Sequence, residues 1–305
     1  MKVFITGGTG FVGTHLTTHL TARDFQVTLL TRSLKPGRFL PKGAAYLEGD
    51  PTRPGPWQKE AATHDIFINL AGSSIFQRWT AEYKITLRES RIQTTRNLVQ
   101  ALSQEKERER VLISASAVGY YGFHHDEELD EESPAGTDFL ALLARDWENE
   151  ARKAEEWGVR VVRPRFGIVL GDKGGALDQL ASLFNKGLGS RLGNGRQWFS
   201  WIHQQDLSEV LLFLINQKEL SGPVNCTSPH PVQNRDLTRL ISEVMRRPVL
   251  LPPVPGFMLK LILGEFGDVL LKGQRVLPRK LMSMNYPFRF PLIKDALNDL
   301  LRKKK

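Results

Sequence analysis

Cysteine is nearly missing from this chain. Cys226 is the only one in 305 residues, which excludes an intramolecular disulfide and a cysteine-built metal site. No metal centre is expected, and a lone thiol fits a reducing, cytoplasmic setting. Long apolar runs are also missing, so no membrane span is expected. The greasiest stretch, Phe257–Leu271, is interrupted by Lys260, Glu265 and Asp268. A strand-like run starts at Met1-Lys2-Val3, so no signal or transit peptide is expected. There is no internal repeat and no low-complexity linker. The net charge is +9 with pI ≈ 9.7, yet no basic stretch alternates with stacking aromatics, and nucleic-acid binding is not expected. Part of the excess lies in Arg302–Lys305, which reads as a solvated tail. One further absence is local: no Asp or Glu occurs between Asp24 and Glu48.

What remains is an ordinary globular composition, 41% hydrophobic and 25% charged, with length enough for two domains. Short apolar runs predict strands at Lys2–Thr6, Gln26–Thr31, Tyr46–Glu48, Asp65–Ala71, Val111–Ser114 and Val159–Val162. Between them, helical spacing predicts helices at Phe11–Arg23, at Tyr83–Lys106 with Ile85, Ile92, Leu98 and Leu102 inward, and at Phe139–Trp157, capped by Gly158. The alternation is that of βαβ units, and uniformly apolar strands imply helices on both faces. The expectation is an α/β Rossmann-type doubly wound parallel sheet over residues 1–171. A smaller, mostly helical lobe follows over 172–305, with strands near 197–203 and 222–226 able to return to the sheet. Its helices are predicted at Ala176–Lys186, Gln205–Gln217, Asn234–Met245 and Phe257–Leu271, with Pro252-Pro253-Val254-Pro255 as a stiff connector.

Thr6-Gly7-Gly8-Thr9-Gly10-Phe11-Val12-Gly13 joins the first strand to the first helix. Gly7 permits the tight turn, Gly10 lets backbone approach a pyrophosphate, and Gly13 lets the helix pack on the sheet. The helix N-terminus then offers free N–H groups to the anion. In this context it reads as a nicotinamide-dinucleotide turn, the bland alternative being a mere tight turn. Where an acidic residue would hold the ribose 2′-hydroxyl stands Thr31-Arg32-Ser33, with Lys35 and Arg38 behind. A guanidinium suits a 2′-phosphate, so NADP is favoured over NAD; the bland alternative is a solvated loop arginine. Asp50 is placed to reach the adenine, and Leu70, Ala71 and Gly72 stand where the cofactor would cross the fourth strand.

These segments resemble the short-chain dehydrogenase/reductase superfamily, extended branch. Ser114-Ala115-Ser116-Ala117-Val118-Gly119-Tyr120-Tyr121-Gly122 looks like the serine-rich strand end and Val-Tyr-Gly turn of nucleotide-sugar epimerases. Arg163-Pro164-Arg165-Phe166-Gly167 resembles their next strand, which implies cofactor contacts for Ser114, Pro164 and Arg165. Ser90-Arg91, Trp147-Glu148, Gly189–Gly195, Ser200-Trp201-Ile202-His203 and Gly273–Pro278 resemble an epimerase subfamily often labelled cell-division-inhibitor (SulA) related, with a C-terminal segment of unknown function.

Members of that superfamily use a Ser or Thr with a Tyr four residues before a Lys, which share a helix face so that the ammonium lowers the phenol pKa. Of the five tyrosines here, none precedes a lysine by four. Phe139 stands near the expected phenol. Ser116 can keep the hydroxyl role; Tyr120, Tyr121 and Glu148 are the leading substitute catalytic groups, with His203 and Lys84 behind. Each also has a bland reading: half-buried turn tyrosines, a helix-surface ion pair of Glu148 with Arg145 or Lys153, a structural histidine, a solvated lysine. In the lobe, the glycine-rich Gly187–Trp198 carries Arg191 and Arg196, which suit an anionic or phosphorylated substrate, unless it is a surface turn. Trp201 is a candidate pocket wall or core residue, and Asp206 a helix N-cap. Two functions stay open: an NADP-dependent oxidoreductase or epimerase with an altered proton relay acting on a small molecule, or a non-catalytic dinucleotide-binding regulator. A homo-oligomer is compatible with either.

Overall fold

The computed structural model describes residues 1–34, 40–104 and 109–302. Lys35, Arg38 and Lys106 lie outside them, as does the tail beyond 302. The strands are β1 Lys2–Thr6, β2 Gln26–Thr31, β3 Ala44–Glu48, β4 Ile66–Asn69, β5 Val111–Ser114, β6 Arg160–Phe166 and β7 Gly222–Cys226. They form one parallel sheet in the order β7-β6-β5-β4-β1-β2-β3, and the short strand Ser116–Ala117 adds to β6. The order reverses between β1 and β4, where a doubly wound sheet opens a crevice at its carboxyl ends.

Alternation along the strands explains the layers. Val3 and Ile5 of β1 and Ile66 and Ile68 of β4 face one core, with α1 (Phe11–Thr21) contributing Leu16 and Leu20. Phe4 and Phe67 face the other, against α2 (Trp57–Ala61), α3 (Ala81–Leu102) and α4 (Phe139–Arg152). Strand side chains point to opposite faces with period two, so a run apolar throughout demands cover on both sides. Gly158, at φ 71, stops the single 3-10 turn that follows α4.

Residues beyond 171 complete this domain as well as building the lobe. Ile168–Leu170 pairs with Trp201–His203, β7 forms the sheet edge, and α6 (Gln204–Asn216) packs on α1 with Leu207, Val210, Leu211 and Leu214 buried. The lobe has its own core, where α5 (Gly175–Asn185), α7 (Asn234–Met245) and α11 (Ile293–Arg302) bury Leu177, Phe184, Leu237, Ile241 and Leu297. Between α7 and α11 lie α8 (Gly256–Leu263), α9 (Phe266–Leu271) and α10 (Arg279–Ser283).

Three local expectations are corrected. Phe257–Leu271 is two helices, because Gly264 adopts φ +64 and seats against the Trp79 carbonyl. Ile85 is 56% exposed rather than inward, since the buried stripe of α3 runs through Leu87, Ile92 and Leu98. Asp206 does not cap α6: the cap is His203, which accepts from the Gln205 amide, while the Asp206 carboxylate accepts the amides of Arg289 and Phe290.

Candidate functional site

The turn after β1 is built on close approach. A Cβ on Gly7, whose φ is +71, would lie 2.6 Å from the Leu70 carbonyl carbon at the end of β4. A Cβ on Gly13 would lie 2.5 Å from the Gly8 Cα, so only glycine lets α1 sit down on its own turn. Gly10 is the N-cap of α1; no side chain caps it and no acid stands in the first turn. The helix therefore presents a positive N-terminus at the sheet crevice. Val12 packs on the sheet core. The ring of Phe11 packs on the glycine loop after Leu170, where a Cβ on Gly171 or Gly175 would meet it at 2.6 or 2.9 Å.

At the adenosine end, Arg32 leaves β2 exposed to solvent. Asp50 follows β3 and accepts from the Thr52 amide at 3.0 Å and its hydroxyl at 2.7 Å. Burial raises the Asp50 pKa, but those hydrogen bonds and the charges of Arg32 and Arg53 outweigh it and hold the carboxyl below its usual value. Arg32 and Asp50 thus share one electrostatic neighbourhood beside the turn.

Beneath the crevice runs a buried polar ladder that the sequence did not show. Thr6 donates to Asn69 Oδ1 at 2.7 Å; Asn69 Nδ2 donates to Thr95 and Ser114; the Trp147 indole also donates to Thr95. Thr6 and Ser114 therefore hold three strand ends level. The loop after β4 is pinned from below by Ser90-Arg91: Ser90 Oγ accepts from the Ser73 amide, and Arg91 donates to the carbonyls of Ser73 and Leu87. A Cβ on Gly72 would meet the Arg91 guanidinium carbon at 3.0 Å. Burial lowers the Arg91 pKa to about 10, so it stays charged at neutral pH.

Four of the residues singled out for chemistry meet in one buried cluster. Ser116 Oγ donates to Glu148 Oε1 at 2.7 Å. Arg165 grips the same carboxylate with Nε at 2.7 Å and Nη2 at 3.0 Å, and its Nη1 reaches the Tyr121 hydroxyl at 2.9 Å. That guanidinium sits over the Tyr120 ring, 3.5 Å from Cζ to ring centre. Glu148 is thus a buried pair with Arg165, not a helix-surface pair with Arg145 or Lys153. Two expectations need correction. The donors of Arg165 are spent inside the protein, because residues of β6 alternate and Arg165 falls on the α4 side; its neighbour Pro164 falls on the opposite face. Tyr121 is fully buried, donates to Asn225 Oδ1 at 2.7 Å, and burial pushes its phenol pKa up, away from proton transfer near neutrality.

The place of the usual pair is apolar. Phe139 and Leu143 pack with Trp79, Leu87 and Phe266. The Lys84 ammonium lies 5.0 Å from the Phe139 ring centre and pairs with Glu265. His203 is a buried cap facing Phe290 and Asp299. In the lobe, Arg191 lines a cavity of about 430 Å3 together with Arg235 and Arg239. Arg196 is exposed and lies outside that lining. Trp201 is corrected from pocket wall to core: it is 0% exposed and its indole donates to the His230 carbonyl. Gln274 ties the C-terminal segment to the candidate site by donating to the Val118 carbonyl at 2.9 Å.

This fold and turn define an NAD(P)-binding protein of the extended short-chain dehydrogenase/reductase type. Residues 3–245 match the NAD dependent epimerase/dehydratase family, and the chain belongs to it; residues 254–300 match a domain of unknown function, DUF1731. The chain is 38% identical to the epimerase family protein YfhF of Bacillus subtilis, covering 100% of this chain and 99% of that one. It is 37% identical to the chloroplastic SDR39U1 homolog of Arabidopsis thaliana, covering 99% and 87%. Among solved structures, human SDR39U1 (isoform 2) with NADPH superposes with a TM-score of 0.86 at 30% identity, over 99% of both chains. A UDP-glucose 4-epimerase of Thermus thermophilus with NAD shares the fold, with a TM-score of 0.80 at 21% identity over both whole chains.

Proposed function

We propose that this protein binds NADP(H) in preference to NAD(H) and is an oxidoreductase or epimerase-like enzyme working without a Tyr-x-x-x-Lys pair. The observation that carries the cofactor preference is Arg32, exposed at the end of β2 beside the glycine turn where an acid would select NAD. The NADPH found with human SDR39U1 supports it. A bound nicotinamide contributes hydride donation or acceptance. Ser116, just beyond the carboxyl end of β5, directs its hydroxyl proton at Glu148, which leaves its oxygen to accept a hydrogen bond from a substrate hydroxyl. The three arginines at the lobe cavity suit the anionic part of a phosphorylated or nucleotide-sugar-like substrate. We place the protein in the cytoplasm. Kinship with cell-division-inhibitor-related proteins would add no chemistry to this reading.

Tryptophan quenching by NADPH and NADH tests the cofactor. Arg32→Ala is expected to weaken NADPH by roughly ten- to a hundredfold, the loss of about 1.5–3 kcal/mol for a charged hydrogen bond, and to leave NADH unchanged. Equal loss for both, or no NADPH binding, overturns the assignment.

A second reading, a dinucleotide-binding regulator without turnover, is favoured by the apolar filling at Phe139 and Leu143 and by the buried Tyr121 phenol. NADPH oxidation across carbonyl compounds and sugar nucleotides separates the two. Turnover that Ser116→Ala lowers removes the regulator; binding without turnover removes the enzyme.

A further inference from the structure

A second polar cavity lies across the Glu148–Arg165 pair from Ser116. It measures about 270 Å3 and opens between α4, β6 and Pro223 of β7. Arg145, Asn149 and Arg152 of α4 line it, spaced so that they share one helix face, and Arg163 and Arg165 of β6 form its floor. None of the residues of the glycine turn, and not Arg32, belongs to its walls.

Two of the three acids lining it, Glu148 and Glu131, are already committed. Glu148 is held by Arg165 and Ser116. Glu131 accepts the amides of Asn225 and Lys280, and burial raises its pKa. Glu132 is exposed. Arg145 pairs with its neighbour Asp146 at 3.2 Å.

Arg163 is left under-satisfied. Its side chain is only 14% exposed, its Nη1 stands 3.9 Å from Glu148 Oε2, beyond hydrogen-bond reach, and its buried Nε has no hydrogen-bond partner among the described residues. Burial lowers its pKa; the charges of Glu148 and Glu155 oppose that, while Arg165 and Arg152 add to it. A desolvated guanidinium among other guanidinium groups, on the wall of an open cavity, has Glu148 only at ion-pair distance and no carboxylate in hydrogen-bond reach.

We propose that this cleft binds a small phosphate oxyanion, either free phosphate or the phosphate of a small phosphorylated metabolite, with Arg163 as anchor and Arg152 and Asn149 closing over it from α4. The site is separate from the dinucleotide crevice, and its occupancy does not depend on whether the protein turns over.

The test is calorimetric titration of the full chain, saturated with NADPH so that the crevice is filled, with inorganic phosphate at constant ionic strength and chloride as control. Saturable phosphate binding is expected, weakened about tenfold or more by Arg163→Gln, the scale of one lost charge-assisted pair, and less by the exposed Arg152→Gln. Arg191→Gln, in the lobe cavity, should leave the Arg163-sensitive phosphate binding unchanged. Tighter binding of glycerol phosphate than of phosphate identifies a metabolite source; equal binding identifies the free ion. No saturable binding, or binding that both cleft variants retain while Arg191→Gln abolishes it, overturns the proposal. NADPH affinity, measured in the same variants, reports separately on the cofactor reading.

Discussion

Replacing Glu148 by Leu tests the energetics of the buried cluster most directly. The side chains of Glu148 and Arg165 are 4% and 3% exposed and joined by two hydrogen bonds. Leucine removes both acceptors, leaving the guanidinium charged, dry and unpaired on that side. Breaking a buried pair from one end costs about 3–5 kcal/mol, to which the lost Ser116 hydrogen bond adds about 1 kcal/mol. Against a typical total of about 5–15 kcal/mol, the variant should unfold at clearly lower urea with an unchanged slope. The double variant Glu148→Leu/Arg165→Met carries the sharper claim. It replaces the pair by apolar side chains of similar volume, a change that is often neutral or stabilising by about 1–4 kcal/mol, so it should be more stable than Glu148→Leu alone. A single-variant loss below about 1 kcal/mol would show the pair to be hydrated. A double variant weaker than the single would show the cost to lie in lost contacts rather than in a stranded charge.

Other perturbations probe other parts. Gly13→Ala puts a methyl group 2.5 Å from the Gly8 Cα, where backbone blocks any yielding. It should cost about 1–3 kcal/mol of stability and weaken NADPH and NADH alike, unlike Arg32→Ala; unchanged binding of both would mean the turn is not the pyrophosphate site. His64 is buried, bonded to the Glu60 carbonyl and Thr28 hydroxyl, and burial lowers its pKa below the ordinary 6.5. A depressed folded pKa favours the neutral ring, so this stability is present above the unfolded value and is lost as pH falls below it. His64→Gln should flatten the urea midpoint between about pH 7 and about pH 5, and parallel curves for both proteins would refute it.

The sheet was legible because its signals are local. β1, β2, β4 and β5 are short apolar runs and the glycines fall within one turn, while Gly158 closes not α4 itself but the 3-10 turn that follows it. What the sequence hid depends on partners far along the chain. Glu148 and Arg165 are separated by 17 residues, and a glutamate on an amphipathic helix with Arg145 and Lys153 nearby reads as a surface pair. Only the pairing of Ser116 with Arg165 across two strands turns it inward. Asp206 stands at a helix start and reads as a cap, yet its oxygens are taken by amides more than eighty positions away. Asn69 carried a weak signal, a polar residue ending an apolar strand, which marks a buried hydrogen-bond junction as readily as a cofactor contact. Trp201 had no signal separating pocket from core, since an aromatic in a short strand fits either.

The arrangement of α4 bears on what chemistry this chain can do. In the superfamily pattern, a phenol and an ammonium one turn apart give such a helix its reactive face. Here that face holds Phe139 and Leu143, sealed by Trp79 of the loop after β4 and Phe266 of α9. Further along, Glu148 and Asn149 look toward β6 and its arginines instead. About one and a half turns of helix thus separate Leu143 from the carboxylate that accepts the Ser116 hydrogen bond. Restoring a lysine at 143 would put an ammonium where the present side chain is 5% exposed among aromatic and aliphatic neighbours, with desolvation opposing its charge. A point change therefore does not recover the familiar relay. Glu148 accepts the Ser116 hydrogen bond on one side and lines the arginine-rich cleft on the other. That cleft is then the route by which Glu148 communicates with solvent, and an oxyanion held by Arg163 would stand at its mouth.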